Sequence, residues 1–257
     1  MLLTIDVGNS NIVMGTHEGG AWSRHWRLGT DANRTTDEYG VLFHNLFGEA
    51  GMAYGDLDNV IIGSVVPQLT ATMNEVFSSR AGLEPIILNH RTDTGIRVDT
   101  AQPAATGADL IAGAAGAWHQ YGEACIVVDF GTATTVMAVT GKGSLVGGAI
   151  SAGLKVTVDA LVGKAAQLSQ IPLEPPKRIT AAGTVEAMQS GLFMGHLCMI
   201  EGLVARMIEE VGPSRVIATG GLAELLAPHT SCFDVVDPML TLDGLKIIAG
   251  RVLGRTF

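Results

Sequence analysis

One short sequence motif occurs twice in this chain, and this repetition narrows the possible folds. Residues 4–14 read TIDVGNSNIVM, and residues 127–137 read VVDFGTATTVM. In each copy an apolar run ends in an aspartate, Asp6 or Asp129, and a glycine, small polar residues and a second apolar run follow. The copies lie nearly half of the 257-residue chain apart. The sequence therefore predicts two domains of related structure, each beginning with the same β-hairpin.

The elements predicted after each motif support this duplication. Each half begins with three strand-like runs, and helices then alternate with strands, which is typical of a mixed α/β protein. We expect an N-terminal domain at residues 1–118 and a C-terminal domain at residues 119–257. No linker rich in proline, glycine or serine separates the halves. We therefore expect the two domains to abut, with a cleft between them.

Composition and charge exclude several classes of protein. Hydrophobic residues make up 47% and charged residues 16% of the chain, which indicates packed cores and not disorder. The formal net charge is −9, and no Lys/Arg-rich run is present. Proteins that bind nucleic acids usually carry a clustered basic face, so we expect no nucleic-acid partner.

The sequence also predicts a cytoplasmic protein that makes no contact with membranes. The first residues carry neither a basic leader nor a long apolar stretch, and no uninterrupted apolar run reaches about 20 residues. The three cysteines, Cys125, Cys198 and Cys232, form no CxxC pair and lie among apolar neighbours. We expect them to be buried free thiols in a reducing compartment.

The polar residues of the two motifs fit a nucleotide-binding site. Glycine allows close approach of the backbone to a ligand, and Asn, Ser and Thr donate hydrogen bonds to phosphate oxygens. An aspartate at a strand end can hold a cation that screens phosphate charge. Ordinary turn chemistry explains either hairpin alone equally well, but the matched pair favours a site for a polyphosphate. Gly220 follows a predicted strand at 215–219. It has two interpretations: it contacts the base or ribose of the nucleotide, or it forms a tight turn between a strand and a helix.

Taken together, these segments resemble the type III pantothenate kinases, members of the actin/hexokinase-like superfamily. The resemblance extends from residue 1 to about residue 253. The matching segments, in chain order, are 5–11 (IDVGNSN), 64–67 (SVVP), 107–109 (GAD), 127–135 (VVDFGTATT), 147–150 (GGAI), 188–191 (MQSG), 218–221 (ATGG) and 236–238 (VDP). Their common order and natural spacing make the assignment specific, whereas any one of them alone would not.

The resemblance implies a fold, a reaction and cofactors. The fold is α/β with duplicated ribonuclease H-like domains, and the reaction is transfer of phosphate from ATP, with Mg²⁺, to the primary hydroxyl of pantothenate in coenzyme A biosynthesis. It also implies a monovalent cation, K⁺ or NH₄⁺, and a homodimer whose substrate pocket lies near the interface. The implied ATP-binding residues are Asp6, Val7, Gly8, Asn9, Ser10, Asn11, Ile12, Val13, Gly131, Thr132 and Gly220.

The remaining roles are likewise implied by the resemblance. Asp109 is the expected general base that takes the proton from the acceptor hydroxyl, and its alternative interpretation is a carboxylate that stabilises a helix N-terminus. Asp129 and Asp6 are the expected cation ligands. The expected acceptor-site residues are Thr100, Gly107, Ala108, Leu110 and Thr184.

This sequence departs from the family in the acceptor pocket. Leu110 stands where the family usually has an arginine that would pair with the pantothenate carboxylate, and Thr100 stands where tyrosine is common. The family's Gly-Lys-Asn-Thr is AAGT at residues 181–184. Three hypotheses therefore remain open: a pantothenate kinase that tolerates these changes, a related kinase for a less acidic alcohol, and a non-catalytic regulatory homologue.

Overall fold

The chain forms two compact units, each with its own sheet. The structure is a computed structural model that describes residues 1–165 and 167–257. The first unit contains Met1–Tyr121 and Met239–Phe257, and the second contains Gly122–Pro238.

The first unit contains a five-stranded sheet. Its strands are β1 (Leu2–Val7), β2 (Asn11–Glu18), β3 (Ala21–Gly29), β4 (Asn59–Ser64) and β5 (Ile86–Ile87). They lie in the order β3-β2-β1-β4-β5, with antiparallel pairing among the first three and parallel pairing of β1, β4 and β5. The short strand β6 (Arg97–Val98) also belongs to this unit. Its helices are α1 (Thr36–Glu49), α2 (Pro67–Ala81), α3 (Ala108–Tyr121) and α8 (Leu240–Leu253), with 3₁₀ turns at Tyr54–Asp56 and Pro103–Ala105.

Side chains that alternate along β1 pack against helices on both faces of this sheet. Leu3 and Ile5 belong to a core with α1 and α2, whereas Leu2 belongs to a second core with α3 and α8. Helix α1 begins with a capping box in which the Thr35 side chain accepts the Glu38 N–H and the Glu38 side chain accepts the Thr35 N–H. The capping box therefore accounts for the start of α1 at Thr36.

The second unit contains a sheet of the same connectivity. Its strands are β7 (Cys125–Phe130), β8 (Ala133–Val139), β9 (Ser144–Ala152), β10 (Arg215–Thr219) and β11 (Val235–Val236), and within the unit they lie in the order β9-β8-β7-β10-β11. Its helices are α4 (Leu154–Lys164), α5 (Thr184–Gln189), a π-helical segment (Ser190–Met194), α6 (Gly195–Val211) and α7 (Ala223–Leu226), with a 3₁₀ turn at Ala227–His229. An antiparallel three-stranded meander followed by two parallel strands occurs twice, which confirms the predicted duplicated α/β fold.

The compact units differ from the predicted domains at the C-terminus. The sequence predicted one domain at residues 119–257, whereas Met239–Phe257 packs in the first unit. Helix α8 follows β11, the last strand of the second sheet, as α3 follows β5 and the short strand β6, so by connectivity α8 is the last helix of the second repeat. Its residues Leu242, Leu245 and Ile248 pack in a core with Ile111 and other residues of α3. Burial of this apolar face against α3 accounts for the difference.

The exposure of the cysteines and the length of one apolar helix both relate to predictions made from the sequence. Cys125 is buried and Cys232 is half-buried, but Cys198 on α6 is exposed, so the expectation of a buried thiol is wrong for Cys198.

The continuous helix Thr184–Val211 is long and apolar enough to span a membrane by length and composition alone. However, its residues Phe193 and Leu197 pack in the core of the second unit, as core helices of globular domains do.

Candidate active site

The first acidic turn lies at the centre of the sheet in the first unit. Asp6 is the last residue but one of β1, where it is paired with Val13 on β2 and with Gly63 on β4. The N–H of Val65 donates to the carbonyl oxygen of Val7 at 3.0 Å. The chain that leaves β4 therefore stays beside the end of β1, close to Asp6.

The turn that follows Asp6 exposes polar groups and is braced from β3. The N–H of Gly8 donates to the carbonyl oxygen of Asn11 at 2.9 Å, which closes the turn. Thr30 braces it twice, because its Oγ1 donates to the carbonyl oxygen of Gly8 at 2.7 Å and its N–H donates to that of Ser10 at 3.0 Å. Asn9 and Ser10 are exposed. A braced turn with exposed donors is suited to binding phosphate oxygens.

Asp109 lies at the start of α3, beside the end of β4. A Cβ atom at Gly107 would lie 2.4 Å from Asp109 Oδ1 and 3.4 Å from Val65 Cγ1. Gly107 is thus in close contact with both the carboxylate and the residue that follows β4. The first unit therefore brings Asp109 to the same end of its sheet as Asp6.

The surroundings of Asp109 change its affinity for protons. Burial raises the pKa of its carboxyl group above the ordinary 3.8, and a hydrogen bond from the Leu110 N–H to Oδ1, at 2.8 Å, opposes part of this rise. A raised pKa makes the carboxylate a better proton acceptor than an ordinary aspartate. This is the property that a general base for an alcohol requires.

Thr100 is joined to the start of α3 through its hydroxyl group. The Oγ1 atoms of Thr100 and Thr106 are 2.9 Å apart, and Thr106 directly precedes Gly107. Ala108 is buried as the first residue of α3, and Leu110 is half-buried. Four of the five expected acceptor-site residues thus lie around Asp109.

The second acidic turn repeats the first with a shorter loop. Asp129 is the last residue but one of β7 and is paired with Thr135 on β8 and Thr219 on β10. The N–H of Gly131 donates to the carbonyl oxygen of Ala133 at 3.1 Å. Thr132 is exposed, and its carbonyl oxygen accepts the N–H of Gly153, just before α4, at 3.0 Å.

Gly220 lies against the Asp129 carboxylate. Its backbone is left-handed, with φ of +88°, and a Cβ atom there would lie 2.2 Å from Asp129 Oδ1 and 2.6 Å from the Phe130 nitrogen. Both the conformation and the close approach require glycine. Gly220 therefore borders the second acidic turn as well as forming a tight strand–helix turn.

Sequence reasoning missed one residue of this site, Thr135. Directly opposed residues on antiparallel strands point to the same face of the sheet, so Thr135 shares a face with Asp129. Its Oγ1 is buried and has no hydrogen-bond partner among the described residues. A buried hydroxyl oxygen beside a carboxylate is a donor set that fits a hard cation. The available signal in the sequence was the alternation of side-chain direction along a β-strand. Once the two strands of the hairpin pair, this alternation predicts that Thr135 lies on the same face of the sheet as Asp129.

Thr184 belongs to the second unit, whereas Asp109 belongs to the first, and the expected metal site stays a prediction. Thr184 is the exposed first residue of α5 in the second unit, and Gly183 is the N-cap. Within residues 1–165 and 167–257, no group of three or more His, Cys, Asp or Glu side chains could hold a metal ion. Cation binding at Asp6 and Asp129 therefore stays a prediction that depends on other oxygen ligands.

Comparisons with known proteins identify the family. The sequence profile of the family described as type III pantothenate kinase matches residues 2–206. The type III pantothenate kinase of Brevibacillus brevis is 43% identical over 252 residues, which cover 98% of this chain and 99% of the relative. That of Moorella thermoacetica is 41% identical with the same coverage. The chain belongs to the type III pantothenate kinase family. This result confirms the resemblance on which the site residues were assigned.

Solved structures support the fold alone. A protein described as a Baf family transcriptional activator from Campylobacter jejuni aligns with a TM-score of 0.63 at 19% identity, over 98% of this chain and 99% of that one. A protein described as a 2-dehydro-3-deoxygalactonokinase from Sinorhizobium meliloti aligns with a TM-score of 0.61 at 13% identity, over 98% and 97%. At these identities the likeness extends to the arrangement of strands and helices.

Proposed function

We propose that this chain transfers the γ-phosphoryl group of ATP to the primary hydroxyl of pantothenate, the first step of coenzyme A biosynthesis. The observation that carries the proposal is the desolvated carboxylate of Asp109, beside the strand end that bears Asp6, in a member of this kinase family. Phosphoryl transfer to an alcohol requires mainly positioning and charge stabilisation, with one carboxylate near the nucleophile. Asp109 takes the proton from the acceptor hydroxyl while the hydroxyl oxygen attacks the γ-phosphorus of ATP, and ADP leaves.

The two acidic turns are the proposed sites for the ATP phosphates. In the first, the exposed Asn9 and Ser10 supply donors to phosphate oxygens, and Thr30 keeps the turn in place. In the second, Thr132 supplies an exposed hydroxyl, and Gly220 leaves room beside Asp129. Removal of the side-chain hydroxyl group of Ser10 or of Thr132 should therefore weaken the binding of ATP and leave the binding of the acceptor unchanged.

The proposed cations are Mg²⁺ and a monovalent ion, K⁺ or NH₄⁺. Asp6 and Asp129 are the carboxylates that would hold them. The Thr135 Oγ1, which has no hydrogen-bond partner within the described part of the chain, supports an additional oxygen ligand beside Asp129. When bound, such cations neutralise phosphate charge. Replacing K⁺ with a bulky organic cation should lower activity in the wild type, and Thr135→Val should weaken the response to K⁺.

We further propose a cytoplasmic homodimer. The second unit exposes large apolar side chains on β9, α4, α5 and the loop between the two helices, as expected for a surface that another subunit covers. They are Val146, Ile150, Val156, Leu161, Ile179 and Val185. Light scattering of the purified protein measures its mass directly, and a monomeric mass at micromolar concentration would contradict the dimer.

A second candidate function follows from Leu110. A leucine cannot pair with a carboxylate, and the loss of one hydrogen bond between charged groups costs about 1.5–3 kcal/mol, or roughly tenfold to a hundredfold in affinity. Leu110 directly follows Asp109 at the start of α3. This position favours, as the alternative, a kinase for an alcohol that lacks the carboxylate of pantothenate.

One assay separates the candidates. ADP release is measured with Mg²⁺ and K⁺, with pantothenate and with a panel of uncharged alcohols, for the wild type and for Leu110→Arg. Leu110→Gln is the matched control, because it adds a long polar side chain without charge. If pantothenate is the acceptor, the wild type releases ADP in its presence. Activity only with an uncharged alcohol favours the alternative, and no turnover with any alcohol indicates a non-catalytic homologue.

A further inference from the structure

The motif at residues 188–191 has no role in the reaction described above. It lies where α5 ends at Gln189 and the π-helical segment begins at Ser190. A π-helical turn contains one residue more than an α-helical turn, and such insertions occur frequently at functional sites. The junction of α5 with the π-helical segment is therefore a candidate for a further function.

Gln189 and Ser190 both bind the loop that precedes α5. The described loop residues, 167–183, form neither helix nor strand. Gln189 Nε2 donates to the carbonyl oxygen of Pro172 at 3.3 Å, and Ser190 Oγ donates to that of Ile179 at 2.8 Å. Two adjacent side chains at the helix junction thus contact two separate points of one loop.

The two ends of this loop are held by different forces. Near its start, Ile171 is buried in the core of the second unit, so apolar packing holds that part. Near its end, the Ile179 side chain is 63% exposed, so packing contributes little there. The Ile179 carbonyl oxygen also accepts the N–H of Ala181 at 3.1 Å, which forms a tight turn. The Ser190 hydroxyl therefore connects this turn to the helix behind it.

We propose that Gln189 and Ser190 are positioning residues that set the path of the loop and so place Thr184 for the acceptor alcohol. The turn at Ile179 precedes Thr184 by a few residues, and Thr184 is the first residue of α5. This inference rests on the proposed function, in which Thr184 contacts the acceptor. Because neither side chain needs to touch a substrate, their loss should weaken acceptor binding and spare ATP binding.

Ser190→Ala tests the inference through two Michaelis constants. Loss of one neutral hydrogen bond should raise the KM for the acceptor about threefold to tenfold, with kcat and the KM for ATP within about twofold of the wild type. Ser190→Thr keeps the hydroxyl and should restore the acceptor KM. The matched control is Ser79→Ala, because the Ser79 Oγ also donates to a backbone carbonyl, that of Glu75 at 2.7 Å, within α2.

Hydrogen exchange provides a second measurement that does not depend on turnover. Backbone amides of residues 173–183 should exchange faster in Ser190→Ala than in the wild type, whereas those of α6 should not. Faster exchange with an unchanged acceptor KM would show that the loop contact does not position the acceptor, and would overturn the inference. Unchanged exchange would overturn it as well.

The same experiments distinguish this inference from the proposed function. If the wild type phosphorylates a different alcohol, the KM comparison is made with that alcohol, and only the choice of pantothenate fails. If the wild type phosphorylates pantothenate and Ser190→Ala leaves its KM unchanged, only the positioning role fails. If no alcohol is phosphorylated, both fail.

Discussion

Asp109 has opposite effects on catalysis and on stability. Burial raises the pKa of its carboxyl group in the folded protein, so the folded state binds the proton more readily than the unfolded state. The ionised carboxylate therefore lowers the free energy of unfolding, and this loss develops as the pH rises from the ordinary value of 3.8 through the raised pKa. The proposed proton acceptor, Asp109, therefore makes the folded protein less stable when it is charged than when it is protonated.

Asp109→Asn should separate these two effects. We expect kcat to fall about a hundredfold to ten-thousandfold, because the general base is lost, while the melting temperature at neutral pH is unchanged or higher. The asparagine oxygen can still accept the Leu110 N–H. Glu210→Gln, at an exposed position on α6, is the control and should change neither quantity. A large fall in melting temperature for Asp109→Asn would contradict this account.

Gly220→Ala should destabilise the protein and weaken ATP binding. The left-handed backbone costs an alanine about 1–3 kcal/mol, and the new methyl group also meets Asp129 Oδ1. Gly19 provides a control, because its φ is +60° but no atom lies within 4 Å of the added Cβ. Urea unfolding should therefore show a larger loss for Gly220→Ala than for Gly19→Ala. Equal losses would mean that the contact with Asp129 has no effect.

At the scale of single elements, the two hairpins differ by one residue. Asp6 is opposed by Val13, whereas the aligned Asp129 is opposed by Thr135, one position earlier in its motif. The first turn therefore has room for both Asn9 and Ser10, and the second is shorter. The duplicated motif predicted both hairpins, because the pattern of apolar runs and the Asp-x-Gly turn are local properties of the sequence.

Other features could not be predicted because they depend on contacts between distant segments. The apolar pattern of residues 184–211 fits one continuous helix and contains no sign of the π-helical turn. The contacts of Gln189 and Ser190 with the preceding loop are visible only once the loop has folded back on the helix. The pairing of Thr100 with Thr106 is a contact of the same kind.

His196 joins α6 to the second hairpin, and its contribution to stability should depend on pH. Its Nε2 atom lies 3.0 Å from Thr134 Oγ1, and burial lowers the pKa of the ring from 6.5. Because the unfolded state then binds the proton more readily, stability should be lost as the pH falls through 6.5 toward the lower folded pKa.

The measurement is the melting temperature of the wild type and of His196→Gln as a function of pH. Glutamine cannot titrate, so the variant should lose less melting temperature between about pH 7.5 and about pH 5.5 than the wild type does. His44→Gln, on an exposed face of α1, is the control and should follow the wild type. A variant with the same pH dependence as the wild type would contradict the role of His196.

At the scale of the whole molecule, connectivity and packing divide the chain differently. The duplicated strand order supports two repeats, and the sequence placed their boundary within a few residues of Tyr121. The sequence could not indicate that α8 packs in the first unit, because this packing depends on contacts with residues far away in the chain. That outcome depends on the small residues of α3, among them Ala112 and Ala115, which allow α8 to approach closely.

Leu245→Ala tests whether α8 is an integral part of the first unit. Leu245 is fully buried against α3 and β4, so its truncation should lower the free energy of unfolding by about 2–5 kcal/mol. Leu253→Ala, on the same helix at a position that is 38% exposed, should cost much less. Hydrogen exchange should be faster in α3 for Leu245→Ala alone. Equal effects of the two variants would contradict this packing.

We propose that this chain phosphorylates a primary alcohol with Asp109 as the base. The most direct measurement is ³¹P NMR of the products formed from ATP and pantothenate in the presence of Mg²⁺ and K⁺. We expect a phosphate monoester of pantothenate together with ADP from the wild type, and a rate at least about a hundredfold lower from Asp109→Asn. A wild type that forms no phosphate ester, or an Asp109→Asn variant as active as the wild type, would contradict it.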